Sequence, residues 1–193
     1  MSLFPNLNNP LLGNVAVRQA ISLAIDRGQV SQRGESGYEP AANQTGIVLP
    51  TYQSWYQKSQ DTVTYHPSQA DQVLQTAGFT KGSNGIYQSA SGQQLSFTIK
   101  TISGYTDWDA SLQVITQELA AAGIKVTVQD EDSAPYTNDT QNGTFQLAYG
   151  EMPVAGPGPY YELRQMLFSG NIGSTNYSRY KSDSTDALLN QFS

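Results

Sequence analysis

Apolar residues recur at helical spacing near the start of the chain. Val17, Ala20, Ile21 and Ala24 or Ile25 form one stripe, and Arg18, Gln19, Asp26 and Arg27 fall mostly off it. The spacing predicts one amphipathic helix over the run from Val17 to Arg27, with Asn14 suited to cap its start. A second helix is expected from His66-Pro67, since proline fits the first helical turn. It turns Ala70, Val73, Leu74 and Ala77 inward and stops at Gly78. Between them, residues 33–62 hold Gly34, Gly37, Pro40, Gly46 and Pro50 among tyrosines and polar residues. That predicts a long irregular segment, and long loops inside compact domains are usually functional.

Further on the period falls to two. Residues 81–92, with Asn84-Gly85 and Ser91-Gly92 around Ile86-Tyr87, predict a small hairpin. Leu95, Phe97 and Ile99 alternate with Ser96, Thr98 and Lys100, which predicts a strand to Ile102. Leu112, Ile115, Leu119 and Ala122 return to helical spacing over 109–122, ending at Gly123. Strands are expected at 124–129 and 145–149, with an acidic helix-like segment between them. Strand–helix–strand–helix–strand predicts a βαβαβ unit with a parallel sheet and right-handed crossovers. Proline and glycine break up residues 150–159. Helices are expected at 160–168 and from Ser184, and residues 4–13 should be irregular. Met1-Ser2-Leu3 reads as a leader in front of an internal segment, so 1–13 is separated from a single α/β lobe over 14–193.

Composition narrows the function. Hydrophobic residues make up 38% and charged residues 13%, against the roughly 25% charged residues common in globular domains. Gln, Asn, Ser and Thr supply the polarity, together with 12 Tyr. A neutral polar surface rich in aromatics suits a secreted protein that binds uncharged ligands. Lineage bias would give the same composition. The net charge of −6 and the scattered Lys and Arg disfavour nucleic acid, whose phosphates require clustered basic residues. With no cysteine, disulfides, thiolate metal sites and cysteine nucleophiles are excluded. No stretch approaches the ~20 apolar residues of a membrane span, and no signal peptide is visible.

Catalytic chemistry finds little support. His66 is the single histidine and stands at a helix start, where a structural or solvated role outweighs a catalytic one; no Ser–His–Asp set can be built on it. Asp130-Glu131-Asp132 and Asp139 lack EF-hand spacing and the glycine at its bend, so a solvated acidic helix start is expected there. Gly156-Pro157-Gly158-Pro159 is glycine-rich, but its prolines lack the N–H donors of a phosphate loop. It reads as a rigid loop directly after a strand, where α/β folds place ligands. Tyr105, Trp108, Tyr149, Tyr160 and Tyr161 gather near predicted carboxyl ends of strands. There aromatic faces stack on sugar rings or apolar side chains; core packing explains some of them equally well. Tyr38, Tyr52, Trp55 and Tyr56 of the long loop are weaker candidates of the same kind.

Five segments, in order, resemble one family. VRQAISLAIDR (17–27) is similar to the signature of the extracellular solute-binding proteins of family 5, the dipeptide, oligopeptide, nickel and oligosaccharide receptors of ABC importers. HPSQADQVLQTAGF (66–79), GIYQSASGQQLSFTI (85–99), the helix 109–123 leading into IKVTV, and NYSRYKSDSTDALL (176–189) match further family segments. The resemblance implies an α/β fold of the periplasmic-binding-protein type 2 kind: a lobe with a central mixed, mostly parallel sheet flanked by helices. It implies the second large lobe of a two-lobed receptor, truncated and without its first lobe. The implied role is capture of a peptide or oligosaccharide in the cleft between lobes, with no catalysis and no cofactor. The implied partners are the first lobe and the membrane subunits of the importer. The implied place is periplasmic, or lipid-anchored on the outer face of the membrane. Peptide-binding members carry an Asp for the ligand's α-amine near the position of Ala155. Here the loop from Gly150 to Tyr161 has one charge, Glu151, and its GPGPYY run is closer to oligosaccharide-type members. Glu151, Met152, Val154 and Ala155 thus join the five aromatics as expected ligand-binding residues. An α/β enzyme domain, or a regulatory domain reusing the fold, remains the alternative.

Overall fold

Helical and strand periods settle into three layers, described by a computed structural model for residues 1–62, 64–151 and 156–192. The chain opens with β1 (Ser2–Pro5) and a one-turn helix α1 (Pro10–Gly13), where an irregular leader was expected. β1 forms because Ser2 to Pro5 pair antiparallel with Gly150 to Leu147. This pairing buries Phe4 on one sheet face while Leu3 packs toward the other, an alternation that requires a strand. Asn9 caps α1 by accepting from Leu11 N and Leu12 N at 3.0 and 3.2 Å.

The helix α2 (Val15–Ala24) starts as expected, with the Asn14 side chain accepting from Ala16 N at 2.9 Å. It ends three residues early. Ile25 is extended, and the Asp26 carboxylate accepts from Gly28 N and Gln29 N, which starts a new short helix α3 (Arg27–Gln29). A side chain that caps the next turn competes with continuing the previous one. A π-turn over Val30–Gly34 follows, and most of the described residues of 35–62 and 64–66 are irregular, with 3₁₀ turns at Gln53–Trp55 and Lys58–Gln60.

Pro67 opens α4 (Pro67–Thr76), which buries Ala70 and Leu74 against α2. Val73 is half-buried, and Ala77, expected to face inward, lies beyond the last helical turn and is exposed. The hairpin consists of β2 (Thr80–Lys81) and β3 (Tyr87–Gln88). Then come β4 (Ser96–Ile102), α5 (Thr106–Ala121), β5 (Lys125–Glu131), α6 (Ser133–Asn142) and β6 (Leu147–Gly150). The main sheet has the order β1-β6-β4-β5. β4 runs parallel to both β5 and β6, and only β1 is antiparallel. The mixed, mostly parallel sheet is therefore present, and its three parallel strands are those read from the sequence. The helices α7 (Pro159–Leu167) and α8 (Asp183–Gln191) complete the chain.

The larger core lies on the face of α2, α4 and α5, where Leu12, Val17, Leu74, Leu112 and Leu119 meet Phe97, Ile99 and Leu147 of the sheet. The smaller core lies on the other face, with Phe4, Tyr136, Phe145 and Ala148 packed by Met166 and Tyr177. Beside it, Lys100 on β4 is bonded to Glu131 at 2.6 Å and to Asp139 on α6. Two of the acidic residues expected to be solvated are thus neutralised by a lysine. Arg179 closes the far end of α6, donating to the carbonyls of Gln141 and Thr140 at 2.6 and 3.3 Å. The guanidinium passes so close to Gly143, at φ +75°, that a Cβ there would sit 2.5 Å from Arg179 Cζ.

Candidate functional site

The carboxyl ends of β4 and β6 lie side by side because these strands are parallel neighbours. Ligands bind at such an edge in open α/β sheets, in the crevice beyond the strand ends. From β4 the chain turns into α5 through Tyr105, whose ring stacks on Trp108 at 4.4 Å and 16°. Trp108 meets Tyr149, at the end of β6, edge-to-face at 6.1 Å and 88°. Three of the expected aromatics therefore form one wall. Trp108 and Tyr149 are 3% and 4% exposed, whereas Tyr105 is 46% exposed. Of the three, only Tyr105 offers substantial ring surface to a ligand, and the other two act as its backing.

The wall is tied to the long segment. Ser111, fully buried one turn beyond Trp108, donates to the Glu35 carboxylate at 2.7 Å. Gly34 lies directly against Ser111, close enough that any β-carbon would collide. Burial pushes the Tyr149 hydroxyl up to about 12; Ser111 opposes the shift, and the charges of Glu35 and Asp107 add to it. The hydroxyl is therefore neutral throughout the physiological range. Burial likewise raises Tyr136, whose hydroxyl donates to the Tyr149 carbonyl at 3.2 Å. Behind the wall, a hollow of about 550 Å3 lies between α2, β1 and the segment 39–49, with Tyr149 in its lining.

Tyr160 and Tyr161 are elsewhere. They contact each other edge-on at 5.3 Å, and Tyr160 donates to the Leu189 carbonyl at 3.0 Å, which docks α7 on α8. Among the described residues no ring contact links this pair to the Tyr105 wall. Tyr161 is 44% exposed and packs tightly beside Gly156. Glu151 is exposed just past β6. Met152, Val154 and Ala155 lie outside the described residues. His66 is exposed and sits before α4 without a side-chain cap, its backbone N–H bonded to the Leu23 carbonyl.

Two residues escape a reading of the sequence. Glu35 shows no motif, because its partner is 76 positions away. Glu162 is 7% exposed, and its Oε2 has no hydrogen-bond partner among the described residues. The available signal was its place on the apolar face of α7, one turn from both Pro159 and Met166. Among the described residues no cluster of three or more His, Cys, Asp or Glu suits a metal, and no helix is long and apolar enough to cross a membrane.

The family model described as bacterial extracellular solute-binding proteins, family 5 Middle, matches residues 1–174. A probable ABC transporter-binding protein of Deinococcus radiodurans is 32% identical over 120 residues, 61% of this chain and 20% of that protein. The heme-binding protein A of Haemophilus influenzae is 28% identical over 183 residues, 92% of this chain and 30% of that one. A periplasmic oligopeptide-binding protein of Thermotoga maritima superposes with a TM-score of 0.89 at 26% identity, over 98% of this chain and 38% of that chain. Its mannohexaose-bound structure gives 0.89 at 25%, over 97% and 37%. The chain thus spans between a fifth and two fifths of the length of these relatives. The sheet and helices agree with the type 2 periplasmic-binding-protein lobe that the resemblance implied.

Proposed function

The chain belongs to the bacterial extracellular solute-binding proteins of family 5, and from that premise we propose that it is one lobe of a two-lobed receptor that captures a peptide or oligosaccharide for an ABC importer. The carrying observation is the exposed Tyr105 ring, held rigid by Trp108 and Tyr149 at the carboxyl edge of a parallel sheet. A flat, pre-ordered aromatic surface favours sugar rings and apolar side chains, since little conformational freedom is lost on contact. The first lobe supplies the opposite wall. Ligand contact with both walls closes the cleft, and the closed form engages the importer's membrane subunits. The role needs binding energy and no bond chemistry. The receptor works outside the cytoplasmic membrane, periplasmic or lipid-anchored.

Within this reading a neutral or sugar-like ligand is favoured over a free-amine peptide. Ala155 replaces the expected carboxylate, and a buried ammonium without a partner costs several kcal/mol, on the order of 3–5. Glu151 is the one charge between Gly150 and Tyr161. Calorimetry on the full-length receptor tests both points. Mannohexaose should bind, and Tyr105→Ala should weaken it by about tenfold or more, the loss expected for an aromatic anchor. Failure of both mannohexaose and oligopeptides to bind would refute the receptor reading. A large loss of peptide affinity in Glu151→Gln, with no sugar binding by the wild type, would refute the ligand preference alone.

A further inference from the structure

The end of β6 is held from the face of the sheet away from the aromatic wall. The pairing of β6 with β4 matches Leu147 to Ile99 and Ala148 to Lys100, and Tyr149 is one residue past it. A buried carbonyl beyond the end of a ladder needs a donor from elsewhere. Tyr136 of α6 supplies it: its hydroxyl donates to the Tyr149 carbonyl at 3.2 Å, in a buried bond. The same hydroxyl lies against Gly150, where a Cβ would sit 2.5 Å from Tyr136 Oη and 3.8 Å from Trp108 Cη2. Tyr136 belongs to the smaller core and Trp108 to the larger one. At Gly150, therefore, a side chain from each face of the sheet meets the strand end.

Tyr136 is itself fixed. It is 6% exposed and packs with Phe4, Phe145 and Ala148. Its carbonyl accepts from Thr140 Oγ1 at 2.9 Å. About one turn further along α6, Asp139 is tied to Lys100 of β4, and Arg179 closes the end of the helix. A donor locked by packing on one side and by helix anchors on the other determines where its acceptor sits. We propose that Tyr136 is a positioning residue for ligand recognition: acting through the Tyr149 carbonyl and Gly150, it sets the seat on which Trp108 carries Tyr105. Tyr136 touches no ligand. Its effect on binding rests on the receptor reading, whereas the seating of Trp108 does not. Without the hydroxyl the Tyr149 peptide is free to turn. Trp108, edge-to-face on Tyr149 and stacked under Tyr105, then follows. A wall correctly seated only about a fifth of the time lowers the apparent affinity about fivefold.

The test uses the full-length receptor labelled with fluorotryptophan, the Trp108 fluorine resonance being identified by its loss in Trp108→Phe. Tyr136→Phe removes the hydroxyl and keeps the ring. It should shift or broaden the Trp108 resonance. It should also weaken binding about fivefold or more in calorimetry, with mannohexaose or, if the wild type takes peptides instead, an oligopeptide. Phe145→Leu, in the same small core, is the structural control. It should lower the urea midpoint at least as far as Tyr136→Phe and leave both the resonance and the affinity as in the wild type. Gly150→Ala pushes the hydroxyl off the carbonyl from the strand side, and should reproduce the resonance change even if Tyr136→Phe does not fold. A Trp108 resonance or an affinity that is unmoved in these variants overturns the proposal. So does a Phe145→Leu receptor that changes both as much as Tyr136→Phe. If the wild type binds neither mannohexaose nor oligopeptides, the receptor reading fails, and the Trp108 resonance alone decides whether Tyr136 seats the wall.

Discussion

Replacing Gly34 with alanine should destabilise the chain severely, for reasons that lie in the backbone. Gly34 ends the π-turn after α3 and is pressed onto α5 at Ser111. A Cβ there would sit 2.6 Å from Ser111 Cα and 2.9 Å from Ser111 Cβ. Side-chain rotation relieves neither contact, so the turn must move off the helix. Overpacking of this sort costs about 1–3 kcal/mol. The displaced turn carries Glu35 with it and breaks the hydrogen bond from fully buried Ser111, a bond to a charged group worth about 1.5–3 kcal/mol. Glu35 is half-buried, which favours the lower figure. The expected loss is about 3 kcal/mol, and at about 2–4 °C per kcal/mol for a chain of this size the melting point should fall by about 6–12 °C. Urea denaturation of wild type and Gly34→Ala measures it. Adding Ser111→Ala removes the hydroxyl but not Cα, so rescue should be incomplete. A loss below about 1 kcal/mol, or full rescue by the double substitution, would show that the turn is not seated on α5 as described.

Other expectations follow from single contacts. Hydrogen bonds from Lys100, then Thr144, hold the Asp139 carboxyl below its ordinary value of 3.8. Its contribution to stability is therefore complete above about pH 4 and is lost as pH falls through the depressed value; Asp139→Asn should flatten the acid limb of a stability–pH profile, and an unchanged limb would refute the assignment. Glu162→Leu removes a buried carboxylate with an oxygen that has no partner among the described residues, and should raise the urea midpoint or leave it unchanged, since apolar replacement of such a group is neutral or stabilising by about 1–4 kcal/mol; a fall in the midpoint would show that the carboxyl has a structural task. The 193-residue chain alone should bind mannohexaose at least about tenfold more weakly than the full-length receptor, because a pocket normally covers about 70–90% of its ligand and one lobe covers less; equal affinities by calorimetry would contradict the shared cleft.

What could be read from the sequence was what local pattern dictates. The alternation of Leu95, Phe97 and Ile99 and the helical stripe of Leu112, Ile115 and Leu119 are both buried as expected, because period two and period 3.6 each put one set of side chains on one face. Asn14 and Pro67 marked helix starts for equally local reasons. β1 escaped notice because four residues, the last of them a proline, carry no pattern of their own; their pairing partners in β6 lie some 145 positions away. The break at Ile25 was hidden because Val17 to Arg27 keeps helical spacing through a residue that is extended. In the candidate site, the aromatic types were visible, but their division into a wall on α5 and β6 and a separate pair on α7 was not. Exposure is set by tertiary packing, so the sequence could not distinguish Tyr105 from buried Trp108.

The placing of the wall and the hollow together depends on the register of one short strand. All four residues of β6 are buried, and their side chains alternate between the two cores. Leu147 and Tyr149 join the core of α2 and α5, and Ala148 joins that of Tyr136 and Phe145. A slip of one residue would exchange these faces, putting Ala148 and Gly150 where the aromatic wall needs Tyr149. Gln146 fixes the register at the entrance of the strand: its side-chain oxygen accepts from Thr98 N at 2.7 Å, and its carbonyl accepts from Asn6 N at 2.9 Å. The first contact ties β6 to β4 and the second ties it to the end of β1, so neither neighbour can shift alone. With the strand held on both sides, the Tyr149 ring is fixed where it backs Trp108 and borders the hollow. The surface that Tyr105 presents is thus rigid because a glutamine four residues before Gly150 ties β6 to both of its neighbours.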